Sequence, residues 1–243
     1  PSMGRGIVMS GRWAEPHEAP TKPPRFRKPI TVPPIFPSWL LQPCMLALLN
    51  RVNYFANQRR AARGIIHPES FFYPLDTLLF WNRFYGPRGF TQYQCVLPKD
   101  SGLDGHLRLL EVLRREKAPV YLCVIKDCGP EGKGMLSFPM PGISIAIDFA
   151  IRDQTPELVA TLNEFVIRDL PVDGRTQAIV DALNEVVIAE RGRIYLAKDA
   201  FTRAEHYRAM EPRLDAFLEV RRRWDPERRL RSAQSVRLLG DPP

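Results

Sequence analysis

The chain has 243 residues, of which 35 are Lys or Arg and 27 are Asp or Glu, for a formal net charge of +8 and a pI near 9.6. Its composition, 44% hydrophobic and 26% charged, is that of a folding chain with enough length for one large domain or two small ones, and it excludes a disordered polypeptide. Four cysteines without a CxxC spacing (Cys44, Cys95, Cys123, Cys128) and four scattered histidines (His17, His67, His106, His206) argue against a metal site and a disulfide scaffold, and for a reducing compartment.

The positive charge is concentrated at Arg59-Arg60, Arg63, Arg114-Arg115, Arg221-Arg222-Arg223, Arg228-Arg229 and Arg231. No helix-turn-helix pattern, zinc-finger spacing or aromatic RNP strand accompanies it, so nucleic acid is not the favoured partner. Solvated helix faces and a domain contact account for it better. There is no leader pattern and no apolar run of about 18 residues, so no membrane span is expected. A cytoplasmic location follows, with association to a membrane surface left open. The chain begins with proline, which suggests a processed, partial or trimmed polypeptide.

In chain order, residues 1–38 are irregular and rich in proline. Residues 44–62 carry helical spacing through Leu46, Leu49, Val52 and Phe55. The stretch 71–86 is densely aromatic and reads as hydrophobic core. A regular pattern then sets in. Residues 90–97 alternate as a strand, and 104–117 form an amphipathic helix with Leu107, Leu110 and Leu113 on one face. Residues 120–126 are a second strand. A loop with four glycines and three prolines, GPEGKGMLSFPMPG, leads to a third strand over 143–149. Thr155-Pro156-Glu157 starts a helix to about residue 164.

FAIRDQTPELVATLNE (149–164) is followed at once by FVIRDLPVDGRTQAIVDALNE (165–185). This is a local tandem duplication, too short for a solenoid. Its two helices should lie side by side, or one copy should bulge out. One copy is redundant, so loss of 165–180 is expected to leave the fold intact. Residues 193–196 form a last short strand. Thr202-x-x-Glu205 reads as a capping box, and a further helix spans 212–223. The whole is an α+β pattern of ferredoxin-like type, an antiparallel sheet with helices on one face. An irregular Pro-rich N-terminal part precedes it, and a helical tail follows.

Candidate chemistry gathers on the strands. Gln92 and Gln94 share one strand face, and two adjacent amides suit a polyol, since each offers donors and an acceptor. Paired strands would bring Lys126 and Ser144 onto the same surface, with Asp148 on the Ser144 face. Tyr195 and Lys198, three apart, serve one site if the chain turns after Leu196. No catalytic Ser-His-Asp order, P-loop, Rossmann glycine fingerprint or HExxH is present.

Three stretches carry a family resemblance: 71–98, 136–149 and 192–239, the last with YxAKD, then MxPRLD and DPxxR. Together they resemble the C-terminal half of FAD-linked oxidoreductases of the vanillyl-alcohol oxidase type. The branch most similar is that of the decaprenylphosphoryl-ribose oxidases, to which aldonolactone oxidases are related. The resemblance implies a substrate-binding cap domain over 71–190, with the duplication at 149–185 inside it. Residues 1–70 would be the irregular remainder of the cap, and 191–243 a segment that packs on an FAD domain. It implies FAD as cofactor, Tyr195 and Lys198 at the flavin and in catalysis, and Gln92, Gln94, Lys126, Ser144 and Trp81 in the substrate pocket. The glycine-rich loop 129–134 would lie near the pocket mouth. That branch has asparagine at Ser144, cysteine at Ala146 and phenylalanine at Cys128, so the implied substrate is a sugar or polyol, lipid-linked or free. The FAD-binding half is absent from the chain, so an FAD-binding N-terminal half or partner subunit is expected. The alternative is a non-catalytic interaction or structural subunit derived from the family.

Overall fold

The computed structural model describes residues 10–22, 24, 29–34, 43–59, 64–85, 89–118, 120–151 and 174–242. The chain divides into two compact units, Pro1–Pro87 and Arg88–Pro243. Within the first unit the described elements are β1 (Ile30–Thr31), α1 (Pro43–Arg59), α2 (Pro68–Phe72), a 3-10 turn at Pro74–Thr77, β2 (Leu78–Leu79) and a 3-10 turn at Trp81–Tyr85. β1 and β2 pair in parallel over two residues. Arg83 holds this pairing: its guanidinium donates to the Val32 carbonyl at 2.7 Å and lies 4.1 Å over the Phe80 ring.

The aromatic stretch does not form the core that its composition predicts. Phe72, Tyr73 and Phe80 are each more than half exposed. The rings meet one another instead, Phe71 on Phe72 edge-on at 5.1 Å and Trp81 on Tyr85 at 6.0 Å. Short helices and turns have no common face on which successive rings can converge, so local stacking replaces a buried layer.

The second unit contains β3 (Phe90–Pro98), α3 (Gly102–Arg115), β4 (Val120–Cys128), β5 (Gly142–Ala150), α4 (Arg175–Ala189) and β6 (Arg193–Ile194), followed by α5 (Ala204–Met210), α6 (Leu214–Trp224) and α7 (Ala233–Leu239). The sheet order is β4-β5-β3-β6, with every pair antiparallel. This is the interleaved β-α-β-β-α-β arrangement expected from the sequence. Strand alternation explains the layering. Tyr93, Cys95, Leu97, Ile145, Ile147 and Phe149 point one way and pack on Leu109, Val112 and Leu113 of α3 and Ile179, Val180, Leu183 and Val187 of α4. Burying each of these aliphatic chains contributes about 1.5–3 kcal/mol. The polar residues alternate onto the opposite face.

Two glycines permit the sheet to close. A Cβ on Gly142 would lie 2.1 Å from the Leu97 carbonyl oxygen, and one on Gly192 would lie 2.6 Å from that of Val96. Both are places where another chain segment presses against β3.

The duplication resolves unequally. Its first helix, expected over 155–164, lies outside the described residues. The second copy supplies α4, the crossover from β5 to β6, and Thr176, Ile179 and Val180 are buried there. Residues 175–180 are therefore not redundant, because the crossover helix packs on the sheet through them. The capping box at Thr202 is also corrected. α5 begins at Ala204 with no side-chain cap, because the Thr202 hydroxyl accepts from Asn184 Nδ2 at 3.1 Å. A capping box does form at Ser232 and Ser235, opening α7. The tail does not stand apart: Tyr207, Met210, Leu214 and Leu238 join the same core as the sheet.

Candidate active site

The polar face of the sheet carries four of the expected residues. The β3–β5 register places Gln92 opposite Asp148 and Gln94 opposite Ala146, and the β4–β5 register places Lys126 opposite Ser144. Gln92 Nε2 donates to Asp148 Oδ1 at 2.9 Å. Gln94 Nε2 donates to Ser144 Oγ at 2.9 Å. Gln94, Ser144 and Asp148 are buried, Gln92 is half-buried and Lys126 is exposed. The two amides thus do not stand free side by side, as the sequence suggests. Each is aimed by a partner one strand away.

Tyr195 and Lys198 arrive from the other edge. β6 pairs with β3 for two residues only, Cys95 with Ile194 and Val96 with Arg193. The Tyr195 amide then donates to the Gln94 carbonyl at 2.8 Å, so Tyr195 sits opposite Gln94. The chain turns at once into a 3-10 turn, Leu196–Lys198, closed by the Lys198 amide donating to the Tyr195 carbonyl at 2.9 Å. The turn expected after Leu196 is therefore present. Burial pushes the Asp148 carboxyl above the ordinary carboxylate range, while Gln92 and the Lys198 ammonium pull it back down. Lys198 therefore lies within electrostatic reach of the Gln92–Asp148 pair. Among the described residues, no carboxylate forms a salt bridge with Lys198.

The turn is held from behind. Asp199 accepts from the Thr202 amide at 2.9 Å and from Arg237 Nη2 at 2.8 Å. Arg237 also donates to the Thr202 carbonyl, and Gln234 of α7 donates to the Leu196 carbonyl at 2.6 Å.

The glycine-rich loop between β4 and β5 reaches across the sheet to β6. Glu131 accepts from Arg193 at 2.5 Å and from Arg213, and Arg213 Nη2 also donates to the Ser137 carbonyl at 2.9 Å. Phe138 consequently stacks on Tyr195 with ring centroids 4.8 Å apart. Both rings line a cleft of about 80 Å³ with Leu136, Arg193, Tyr207 and Met210. That volume is well below the roughly 300 Å³ at which small-molecule pockets begin, so the cleft alone does not hold a sugar.

Trp81, expected in the pocket, belongs to the first unit, half-buried against Tyr85. Asp148, Glu131, Arg193 and Arg213 received no role from the sequence. Asp148 had a signal, its alternation with Ser144 along β5. The Glu131 latch joins residues 62 and 82 positions apart, which no local pattern discloses. Among the described residues, no three His, Cys, Asp or Glu side chains gather where a metal could bind.

No family model matches the chain. It is 31% identical over 233 residues to the decaprenylphosphoryl-beta-D-ribose oxidase of Mycolicibacterium smegmatis, an alignment that covers 93% of this chain and 46% of that protein. It is 27% identical over 242 residues to an uncharacterized protein in the mprA 5′ region of Streptomyces coelicolor, covering 93% of this chain and 58% of that one. The chain spans about half the length of the curated relatives it matches. Nearly all of the chain is therefore similar to one part of an oxidase, consistent with a C-terminal part of an FAD-linked oxidase.

Proposed function

We propose that this chain is the substrate-binding and C-terminal part of a flavin-dependent oxidoreductase that oxidises a secondary hydroxyl of a sugar or polyol. The observation that carries the reading is the meeting, on one polar sheet face, of the Gln92–Asp148 and Gln94–Ser144 pairs with the turn bearing Tyr195 and Lys198. The similarity to an oxidase of a ribose derivative supports it. The donor set fits one end of a flavin. A hydroxyl and an ammonium lie at a strand end, and among the described residues no salt bridge ties the ammonium down. It does not fit a pyrophosphate, since no glycine-rich loop opens a helix among the described residues. Tyr195 and Lys198 would thus contact the cofactor, and an N-terminal half or partner subunit would hold the rest of it. When bound, FAD supplies the hydride acceptor.

The chain's own residues have assignable tasks in this reading. Lys198 offers a fixed positive charge toward an oxygen of the sugar or toward the cofactor, where negative charge develops. Asp148 balances that charge and holds Gln92. Gln92 and Lys126 present donors to substrate hydroxyls, and Gln94 with Ser144 forms the floor. The Glu131 latch keeps Phe138 over Tyr195 and limits water. Trp81 is assigned to the same pocket by resemblance alone.

A second reading, a non-catalytic interaction subunit, draws on the exposure of Trp13, Phe72, Tyr73 and Phe80 in the first unit. Absorption spectroscopy separates the two. The chain is mixed with FAD alone and with the FAD-bearing half of a relative, then challenged with aldoses and polyols. The enzyme reading expects bleaching of the flavin band in the mixture and near-complete loss of bleaching in Lys198→Ala, with the circular dichroism unchanged. Bleaching at an unchanged rate in Lys198→Ala removes Lys198 from the mechanism, and no bleaching with any polyol favours the second reading.

A further inference from the structure

The arginine-rich end of α6 is not absorbed by this function. Here the chain builds a cleft of about 210 Å³. Four arginines line it, Arg208, Arg221, Arg222 and Arg228, against two carboxylates, Asp225 and Asp241. Both carboxylates are already committed inward. Asp241 accepts both terminal nitrogens of Arg221, at 2.6 and 3.0 Å. Asp225 accepts the backbone amides of Arg229 at 2.7 Å and Leu230 at 3.1 Å. No salt bridge to Arg222 or Arg223 forms among the described residues, and both side chains are exposed. Arg208 is paired with Asp215 at 2.9 Å, so the positive charge that the cleft presents to solvent is that of Arg222, next to Arg223 on α6.

Around it stand large apolar side chains in water. Trp224 is 79% exposed, Leu230 78% and Val220 44%. Leu230 is not on a loose end. Its amide is held by Asp225 and its carbonyl accepts from Arg221 at 2.6 Å, while Arg228 donates to the Gly240 carbonyl at 2.9 Å. A turn pinned by three such bonds holds an isobutyl group and an indole outward among guanidinium groups. Tryptophan and aliphatic tips flanked by arginine are the composition of a surface that enters the headgroup layer of an anionic bilayer. The apolar tips reach the acyl boundary, and the guanidinium groups pair with phosphates.

We propose that the Trp224–Arg231 turn, with the adjacent arginine cleft, docks the chain on an anionic phospholipid surface, one headgroup phosphate entering the cleft. The proposal does not rest on the flavin reading, and it is tested without flavin or substrate. The purified full chain is sedimented with vesicles of phosphatidylcholine alone and with vesicles of one part phosphatidylglycerol to two parts phosphatidylcholine. Tryptophan quenching by bromine-labelled acyl chains is recorded in parallel. Binding is expected only to the anionic vesicles, falling with salt. Each arginine at such a surface is worth about fivefold in affinity, so Arg222→Glu with Arg223→Glu weakens binding by at least about 25-fold. Trp224→Phe removes the depth-dependent part of the quenching, and Leu230→Ser weakens binding without changing the melt. All four sites are exposed, so a folding failure is not the expected cause of any loss. Equal binding to both vesicles, or full binding by the charge-reversed variant, overturns the proposal. So does capture of free pyrophosphate with no vesicle binding, which marks a soluble phosphate ligand. A chain that ignores vesicles while an FAD-bearing polypeptide shields Trp224 from oxidation by N-bromosuccinimide marks a protein interface and overturns it as well.

Discussion

Replacing Arg237 by methionine tests how the turn carrying Lys198 is held. The guanidinium is 23% exposed and the Asp199 carboxylate it pairs with is 5% exposed. Removing the cation leaves that carboxylate with the Thr202 amide but without its counter-charge, and it frees the carbonyls of Asp199 and Thr202. Breaking a buried pair from one side destabilises by about 3–5 kcal/mol. Arg237 is not fully desolvated, so the lower end applies, about 3 kcal/mol. For a unit of this size that is a fall of about 6–12 °C in Tm. Urea unfolding followed by circular dichroism measures it, and the slope with denaturant should not change. Asp199→Asn alone loses less, because the amide oxygen still accepts, and the double variant loses less than the sum. A loss below about 1 kcal/mol for Arg237→Met would refute the reasoning, since it would mean that water replaces the guanidinium freely.

Three further outcomes are expected. Burial raises the Asp148 carboxyl, so the folded state binds its proton more tightly than the unfolded state does. This group's penalty is full at neutral pH and is relieved as pH falls through the raised value. Asp148→Asn should therefore raise the urea midpoint at neutral pH and flatten its rise toward mild acid, and an unchanged pH profile would contradict the assignment. Glu131 is held below the ordinary carboxylate range first by Arg193 and then by Arg213, so its latch is lost only as pH falls through that lowered value. Glu131→Gln should speed protease cleavage within 129–134 several-fold with little change in Tm, and equal cleavage rates would show that Phe138 needs no latch. Excision of residues 149–164 puts Phe165-Val166-Ile167 in place of Phe149-Ala150-Ile151 at the end of β5 and leaves α4 whole. The melt should stay cooperative, whereas excision of 165–180 should abolish it by removing Ile179 and Val180 from the core.

The sheet was legible because its signals are local. Alternation along 90–97 and 143–149 and the leucine spacing between them depend on one element at a time, and they yield strands and α3 within two or three residues, although α3 buries Leu109, Val112 and Leu113 and not the expected row Leu107, Leu110 and Leu113, of which Leu110 is 39% exposed. The pairing of Gln94 with Ser144 was half legible: the faces follow from alternation, but the hydrogen bond needs the register. The aromatic stretch misled because composition does not say which rings share a face. Thr202 misled because a capping pattern was outcompeted by a long-range donor, Asn184, which also accepts from the buried Tyr93 hydroxyl at 2.9 Å. Nothing local marks Glu131, whose two arginines come from different elements.

The brevity of β6 sets an order of events. Only two residues of it pair with β3, and the turn beyond is completed by Gln234 and Arg237 of α7. During synthesis, β3, β4 and β5 can pair as soon as they emerge, but Lys198 has no fixed place until α7 has left the ribosome. The cationic turn is therefore the last part of the polar face to form, long after the floor on which it acts.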